Sequence, residues 1–70
     1  MEDKIKKQSI DRLNISVSIL EGLKQNNIIK IEDLCKKSKK ELKKLGFLQN
    51  EINEINIELQ LLGLALKNTL

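Results

Sequence analysis

Isoleucine and leucine return at steps of three and four through Ile52, Ile55, Leu59 and Leu62, the rhythm of one buried face of an α-helix. The intervening positions are mostly polar. This stretch is therefore expected to form the last and longest helix, opening after Gly46-Phe47-Leu48 and ending at Gly63. A strand reading has no support: Phe47 is the single aromatic, proline is absent, and Leu, Ile, Lys and Glu dominate. Seventy residues hold one domain with a small core, and stability is marginal at that size. The expectation is an all-α fold, a compact bundle of four to five short helices.

Upstream the pattern is more broken. Residues 1–11 mix Glu2, Asp3, Lys4, Lys6 and Lys7 with little apolar content and read as a linker or frayed segment, so the folded domain is drawn over 12–66. Leu13 and Ile15 begin the core. Ser16 or Ser18 is the expected helix cap, and Ser18 with Glu21 has capping-box spacing, in which each side chain satisfies an orphan backbone N–H. That helix should run from about 17 to 26 with Val17, Leu20 and Leu23 inward, and Asn26-Asn27 ends it because Asn tolerates left-handed backbone. Ile28, Ile29, Ile31 and Leu34 form a dense apolar patch suited to a buried single turn. A second capping box, Ser38-Lys39-Lys40-Glu41, opens a short helix that carries Leu42 and Leu45 inward and stops at Gly46. Leu64 and Leu66 fold back on the core, and 67–70 read as a fraying tail.

Several function classes drop out. With no His, one Cys and no Gly-rich phosphate loop, neither a nucleophile–base pair nor a nucleotide cradle can be assembled, so catalysis has no support. Cys35, the one cysteine, excludes an internal disulfide, and the lack of His leaves a structural zinc site without its ligands. No metal or cofactor is expected, and a reducing cytoplasm fits. Cys35 follows an apolar turn and reads as a half-buried small hydrophobe rather than a redox sensor. Met1 through Lys7 is charged with no apolar stretch behind it, unlike a secretory signal. The longest uncharged apolar-rich stretch, Leu59 to Leu66, falls far short of the roughly 20 residues that cross a bilayer. A soluble protein without membrane contact is expected. The net charge of +3 permits contact with nucleic acid without demanding it.

Taken as a string, Leu13-Asn14-Ile15-Ser16-Val17, Leu23-Lys24, Ile28, Ile31-Glu32-Asp33-Leu34, Glu41-Leu42, Glu54-Ile55 and Gly63-Leu64-Ala65-Leu66 resembles the C-terminal domain of the bacterial RNA polymerase alpha subunit. The resemblance covers about residues 11–66, with a single-residue deletion near Gly46. It implies paired helix-hairpin-helix units, of which Leu45-Gly46-Phe47-Leu48 retains most of the second apolar-Gly-apolar-Gly turn, with Leu48 in place of the final Gly. It also implies a role in transcription initiation, in the cytoplasm at the nucleoid. There the domain hangs by a flexible linker from the rest of polymerase and docks on A/T-rich upstream promoter DNA, sigma factor and transcription activators. As a separate unit it is expected to be a monomer.

The family's DNA-contacting positions fall on Ser18, Gly22, Lys24, Gly46, Gln49 and Asn50, and most of them are altered. Ser18 stands where the family has its minor-groove Arg, and Glu21 and Gly22 stand where it has Asn and Cys. Counting back from Glu54, Gly46-Phe47-Leu48-Gln49-Asn50-Glu51 replaces Asn-Leu-Gly-Lys-Lys-Ser; matching Leu45-Gly46 to the family's Leu-Gly instead puts Phe47, Leu48 and Gln49 in place of Lys, Lys and Ser. Both placements lose the lysines and the serine, so DNA binding is expected to be weak and poorly selective. Arg12 and Asn14 lie at sigma-facing positions without the usual acidic residues there, while Glu54 matches a family residue and is a protein-contact candidate.

Charge and leucine content leave two further features. Lys36, Lys37, Lys39, Lys40, Lys43 and Lys44 concentrate positive charge around the third helix, with Lys36, Lys40 and Lys44 expected on one face. Such runs are most often solvated surface; as a functional face, Lys36, Lys40, Lys43 and Lys44 would meet DNA phosphates or an acidic partner, with salt-sensitive binding as the mark. Leu59, Leu61, Leu62, Leu64 and Leu66 exceed what one core face needs, and Leu61 is the one expected outside if any is. Two alternatives stand beside the polymerase reading. One is a helix-hairpin-helix module that binds DNA backbone without sequence preference, against which Leu48 argues. The other is a protein-only interaction domain, in keeping with Ser18, Glu21 and Glu51.

Overall fold

Helix α1 (Glu2–Lys6) leads through a 3-10 turn at Ile10–Arg12 into α2 (Val17–Gln25), α3 (Ile31–Cys35), α4 (Lys39–Lys44) and α5 (Gln49–Leu61). The structure, a computed structural model, describes residues 2–67. Among those residues extended backbone pairs only as isolated bridges, Ser9 with Lys30 and Ser38 with Lys67. The all-α bundle of short helices expected from the sequence is what forms.

Among the described residues one device ends three of the five α-helices. At the end of α2 the Ile28 N–H donates to Leu23 O at 2.9 Å and the Asn27 N–H to Lys24 O at 3.0 Å. At the end of α4 Phe47 and Gly46 donate in the same way to Leu42 and Lys43, and at the end of α5 Leu64 and Gly63 donate to Leu59 and Gln60. This is the Schellman arrangement, which needs left-handed backbone at one residue; Asn27, Gly46 and Gly63 take it with φ of 65°, 103° and 76°. Each motif also seals an apolar pair. Leu23, Leu42 and Leu59 are buried before the turn, and Ile28, Phe47 and Leu64 are buried after it. Local reversal of the backbone and core formation are thus one event, repeated three times.

Gly46 and Asn27 let that device be tested. A Cβ at Gly46 would meet nothing within 4 Å, so Gly46→Ala is opposed by its backbone conformation alone, at a cost of about 1–2 kcal/mol. Asn27→Gly, at the equivalent place, is expected to be close to neutral. Urea melts read both, as a lowered midpoint with unchanged slope for Gly46→Ala.

Helix starts follow two chemistries. Ser38 caps α4 as the spacing predicts, its Oγ accepting from Glu41 N–H at 3.1 Å while the Glu41 carboxylate accepts from Ser38 N–H at 3.2 Å. Leu48 precedes α5 and has no side-chain acceptor, but the Glu51 carboxylate accepts from its N–H at 2.8 Å. Asp33 does the same for Lys30 at 3.2 Å. The expected Ser18–Glu21 box does not form: Ser16 is the cap residue of α2, and Ser18 lies inside the helix.

The core collects Ile10, Leu13, Ile15, Ile19, Leu23, Ile28, Ile31, Leu34, Leu42, Phe47, Ile52, Ile55, Leu59, Leu64 and Leu66. Ile19 replaces Val17 on the inner face of α2. Leu13 and Ile15, alternating in extended backbone, fill the space ahead of the helix, and the helical rotation that turns Ile19 and Leu23 inward leaves Val17 68% exposed. Leu45 is likewise outside, at 40% exposure, because the turn at Gly46 delivers Phe47 to the core instead. Ile29 is also exposed.

The segment read as frayed carries structure. Gln8 O accepts from Ile31 N–H at 2.9 Å, and Ile10 N–H donates to Ile29 O at 3.0 Å, pairing 8–10 with 29–31. Ile10 is buried and Ile5 packs partly against the core. The charged residues between them masked these two anchors. At the other end, Lys67 N–H donates to Lys37 O at 3.0 Å, so that residue of the expected tail is paired; 68–70 and Met1 lie outside the described residues.

Candidate interaction face

Phe47 joins the two segments named as DNA-contacting by resemblance. A Cβ added to Gly22 would stand 3.1 Å from Phe47 Cε1 and 3.2 Å from Cζ, so the ring of the second hairpin packs on α2 where α2 has no side chain. Beside the ring α2 presents Ser18 and Glu21, and the hairpin and the start of α5 present Gly46, Leu48, Gln49 and Asn50, all exposed; Lys24, two residues on from Gly22 and so about 160° away around the helix, is exposed on another side. Gly22 is half-buried beneath the ring and serves packing.

The electrostatics of this face run against a polyanion. None of its residues named above is a cation, and Lys24, on another side of α2, has its Nζ 2.7 Å from Asp11 Oδ1. Gln49 Nε2 donates to Asn53 Oδ1 at 3.0 Å. Leu48 is 63% exposed in the hairpin, where one placement of the resemblance has the family's Gly and the other a lysine. Glu21 adds an exposed carboxylate. The sequence showed which residues had changed, whereas the engagement of Lys24 by Asp11 required the fold, since the two are thirteen positions apart.

Asp11 provides a titration readout of that contact. Its carboxyl is held below the ordinary aspartate range, first by the hydrogen bond from Lys24 and then by one from Ser9 Oγ, with slight desolvation opposing. A depressed folded-state pKa means that any support from this pair is present above the ordinary aspartate value and fades as pH falls through the depressed one. The pair is exposed, so its effect on stability is small. Lys24→Met is expected to move the Asp11 titration upward, read from its carboxyl carbon shift.

Two acidic residues of α5 anchor the backbone beside this face. Glu54 Oε2 accepts from Ser16 N–H at 2.8 Å and from Ser16 Oγ at 3.2 Å. Glu58 Oε1 accepts from Asn14 N–H at 3.0 Å. The segment 14–16 is thereby laid antiparallel along α5. Glu54, a protein-contact candidate in the sequence, is therefore engaged within the molecule. Arg12 Nη1 donates to Gln8 Oε1 at 2.8 Å, and the Asn14 side chain is exposed.

The lysines divide. Lys40 and Lys44 stand one turn apart on α4, as do Lys39 and Lys43, and all four are exposed. Lys36 is exposed but follows α3, with the Ser38 cap between it and α4, so it does not continue the helical row expected for Lys36, Lys40 and Lys44. Cys35 is half-buried, and burial pushes its thiol pKa up with Lys6 opposing in part, which disfavours the reactive thiolate. Among the described residues no acidic, His and Cys cluster could hold a metal ion, and no helix is long and apolar enough to cross a membrane.

Two helix hairpins, α2–α3 and α4–α5, packed through one shared core define a small double-hairpin helical domain. The sequence model of one family, the C-terminal domain of the bacterial RNA polymerase alpha subunit, matches residues 1–61, and the protein belongs to that family. Among curated proteins none matches it.

Proposed function

We propose that this domain docks an RNA polymerase on regulators during transcription initiation, in the cytoplasm at the nucleoid, and that its contact with upstream promoter DNA is weak. Membership of the polymerase alpha family supports the setting. The observation that carries the weakness of the DNA contact is the face built by α2 and the second hairpin, where Ser18, Glu21, Leu48, Gln49 and Asn50 are exposed without a cation among them. Neutralising phosphates with protein cations releases the counterions condensed on DNA, and a face without a cation forgoes that share of the affinity. The exposed Leu48 and Glu21 favour a transcription activator or sigma factor as the main partner.

A tether makes such contacts sufficient. Linked to polymerase, the domain meets its partner at a high effective concentration, so millimolar affinity biases promoter occupancy. The lysines of α4 add a salt-sensitive, sequence-indifferent attraction to DNA backbone as a second, weaker contact. The test is isolation of polymerase core enzyme from the source cells through a moderate-salt wash. The gene product carrying this domain should be retained in proportion to the large subunits. Its absence from polymerase at every salt concentration would remove the polymerase role.

A further inference from the structure

Charge is segregated along this small molecule, and each sign is accompanied by exposed aliphatic residues. Helix α5 holds Glu51, Glu54 and Glu58 and no lysine or arginine. Ile57 and Leu61, one turn apart on it, are 56% and 74% exposed. Glu54 and Glu58 each lie three residues before one of them, so the carboxylates border the apolar pair. The neighbouring segment 13–18 has no charged residue and adds exposed Val17.

The opposite character is found at α4 and the turn after it. Helix α4 has four exposed lysines against one half-buried glutamate. Leu45 and Leu48 are exposed directly after those lysines. Leu48 precedes α5 and Leu61 ends it, a separation of about 20 Å at 1.5 Å per residue. The two patches therefore cannot cover each other within one molecule. Among the described residues the single salt bridge is Lys24–Asp11; the α5 carboxylates accept from the backbone N–H groups of Leu48, Ser16 and Asn14 yet meet no cation, so neither patch is paired with opposite charge within the molecule.

We propose that the acidic, apolar end of α5 docks the lysine-flanked second hairpin of another copy of this protein, giving weak head-to-tail self-association. The occupant follows from the complementarity: the cations and leucines that would satisfy one patch are presented by the other. The contact joins two different surfaces, so it is heterologous and extends rather than closing as a two-fold dimer. A handful of side chains on each side falls well below the roughly 1,200 Å² of a standard stable interface, so the protein is monomeric when dilute and associates as concentration rises. Exposed charge pairs are screened by salt, so association fades at high ionic strength. This inference does not depend on the polymerase role.

Sedimentation velocity and amide-shift dilution series of this protein, at low and high salt, provide the test. Two variants accompany it, one with Ile57→Gln and Leu61→Gln, the other with Lys43→Glu and Lys44→Glu; all four positions are exposed, and helical circular dichroism confirms that each variant folds. The average mass of the unaltered protein should rise with concentration at low salt and fall back at high salt, while each variant alone stays monomeric. An equimolar mixture should regain association, because one variant keeps the lysine patch and the other the α5 patch, and it should stop at a heterodimer. A concentration-independent monomer at low salt would overturn the proposal, as would a mixture indistinguishable from its separate components.

Discussion

Leu59→Ala should leave much of this domain unfolded at room temperature. Leu59 is fully buried on α5, and its carbonyl accepts the Leu64 N–H at 2.8 Å that closes the last helix. Removing such a side chain forfeits its transfer free energy and leaves a cavity, at a combined cost of about 2–5 kcal/mol. A single core in a protein this short supplies rarely more than about 3–5 kcal/mol in all. The loss is comparable with the total. Leu61→Ala, two residues on, is the control: that side chain is largely in water, and the change is expected to stay within about 0.5 kcal/mol. Urea melts followed by circular dichroism compare them, and equal midpoints would show that the core is not where the structure places it.

The second large effect is a gain. Ser18→Arg, Glu21→Asn and Leu48→Lys together should raise affinity for A/T-rich duplex by tens to thousands of fold. Ser18, Glu21 and Leu48 are already exposed on the surface that Phe47 holds together across Gly22, so new side chains meet no steric barrier to reaching a duplex. A well-placed contact contributes about 1–3 kcal/mol, and neighbouring contacts add imperfectly. Each new phosphate contact should also steepen the dependence of log affinity on log salt by about 0.9. Fluorescence anisotropy at several salt concentrations measures both. A triple variant no better than the unaltered protein would mean that the scaffold, and not these side chains, has departed from DNA recognition.

What could be read in advance followed from where the physics is local. The three-and-four rhythm of Ile52, Ile55 and Leu59 gave α5, and the Ser38–Glu41 box and the stop at Gly46 needed only neighbouring residues. The Leu-to-apolar spacing repeated at Leu23–Ile28, Leu42–Phe47 and Leu59–Leu64 was also available, with Asn27, Gly46 or Gly63 just before the second apolar residue. It would have placed Phe47 inside and Leu45 outside. The long-range contacts were not legible. Ile5 and Ile10 are anchored by pairing with 29–31, and the serine that caps α2 is selected by Glu54, thirty-eight residues away.

The interaction face divides along the same line. Ser18, Glu21 and Leu48 could be identified as departures by comparing residues with the family pattern. That Lys24 is taken by Asp11, that Gly22 lies under Phe47, and that Ile57 joins Leu61 in solvent all depend on helix rotation and packing. The row expected through Lys36, Lys40 and Lys44 failed because a cap residue interrupts the helix between the first two.

The proposed weakness of DNA contact is tested most directly by an amide-shift titration of the labelled domain with an A/T-rich and a G/C-rich duplex, each at low and high salt. The expected result is small, salt-sensitive shifts confined to Lys36 to Lys44, the same for both duplexes. Selective shifts around Ser18 to Lys24 and Gly46 to Asn50 with the A/T-rich duplex alone would contradict it, and would show that recognition survives without the family's cations.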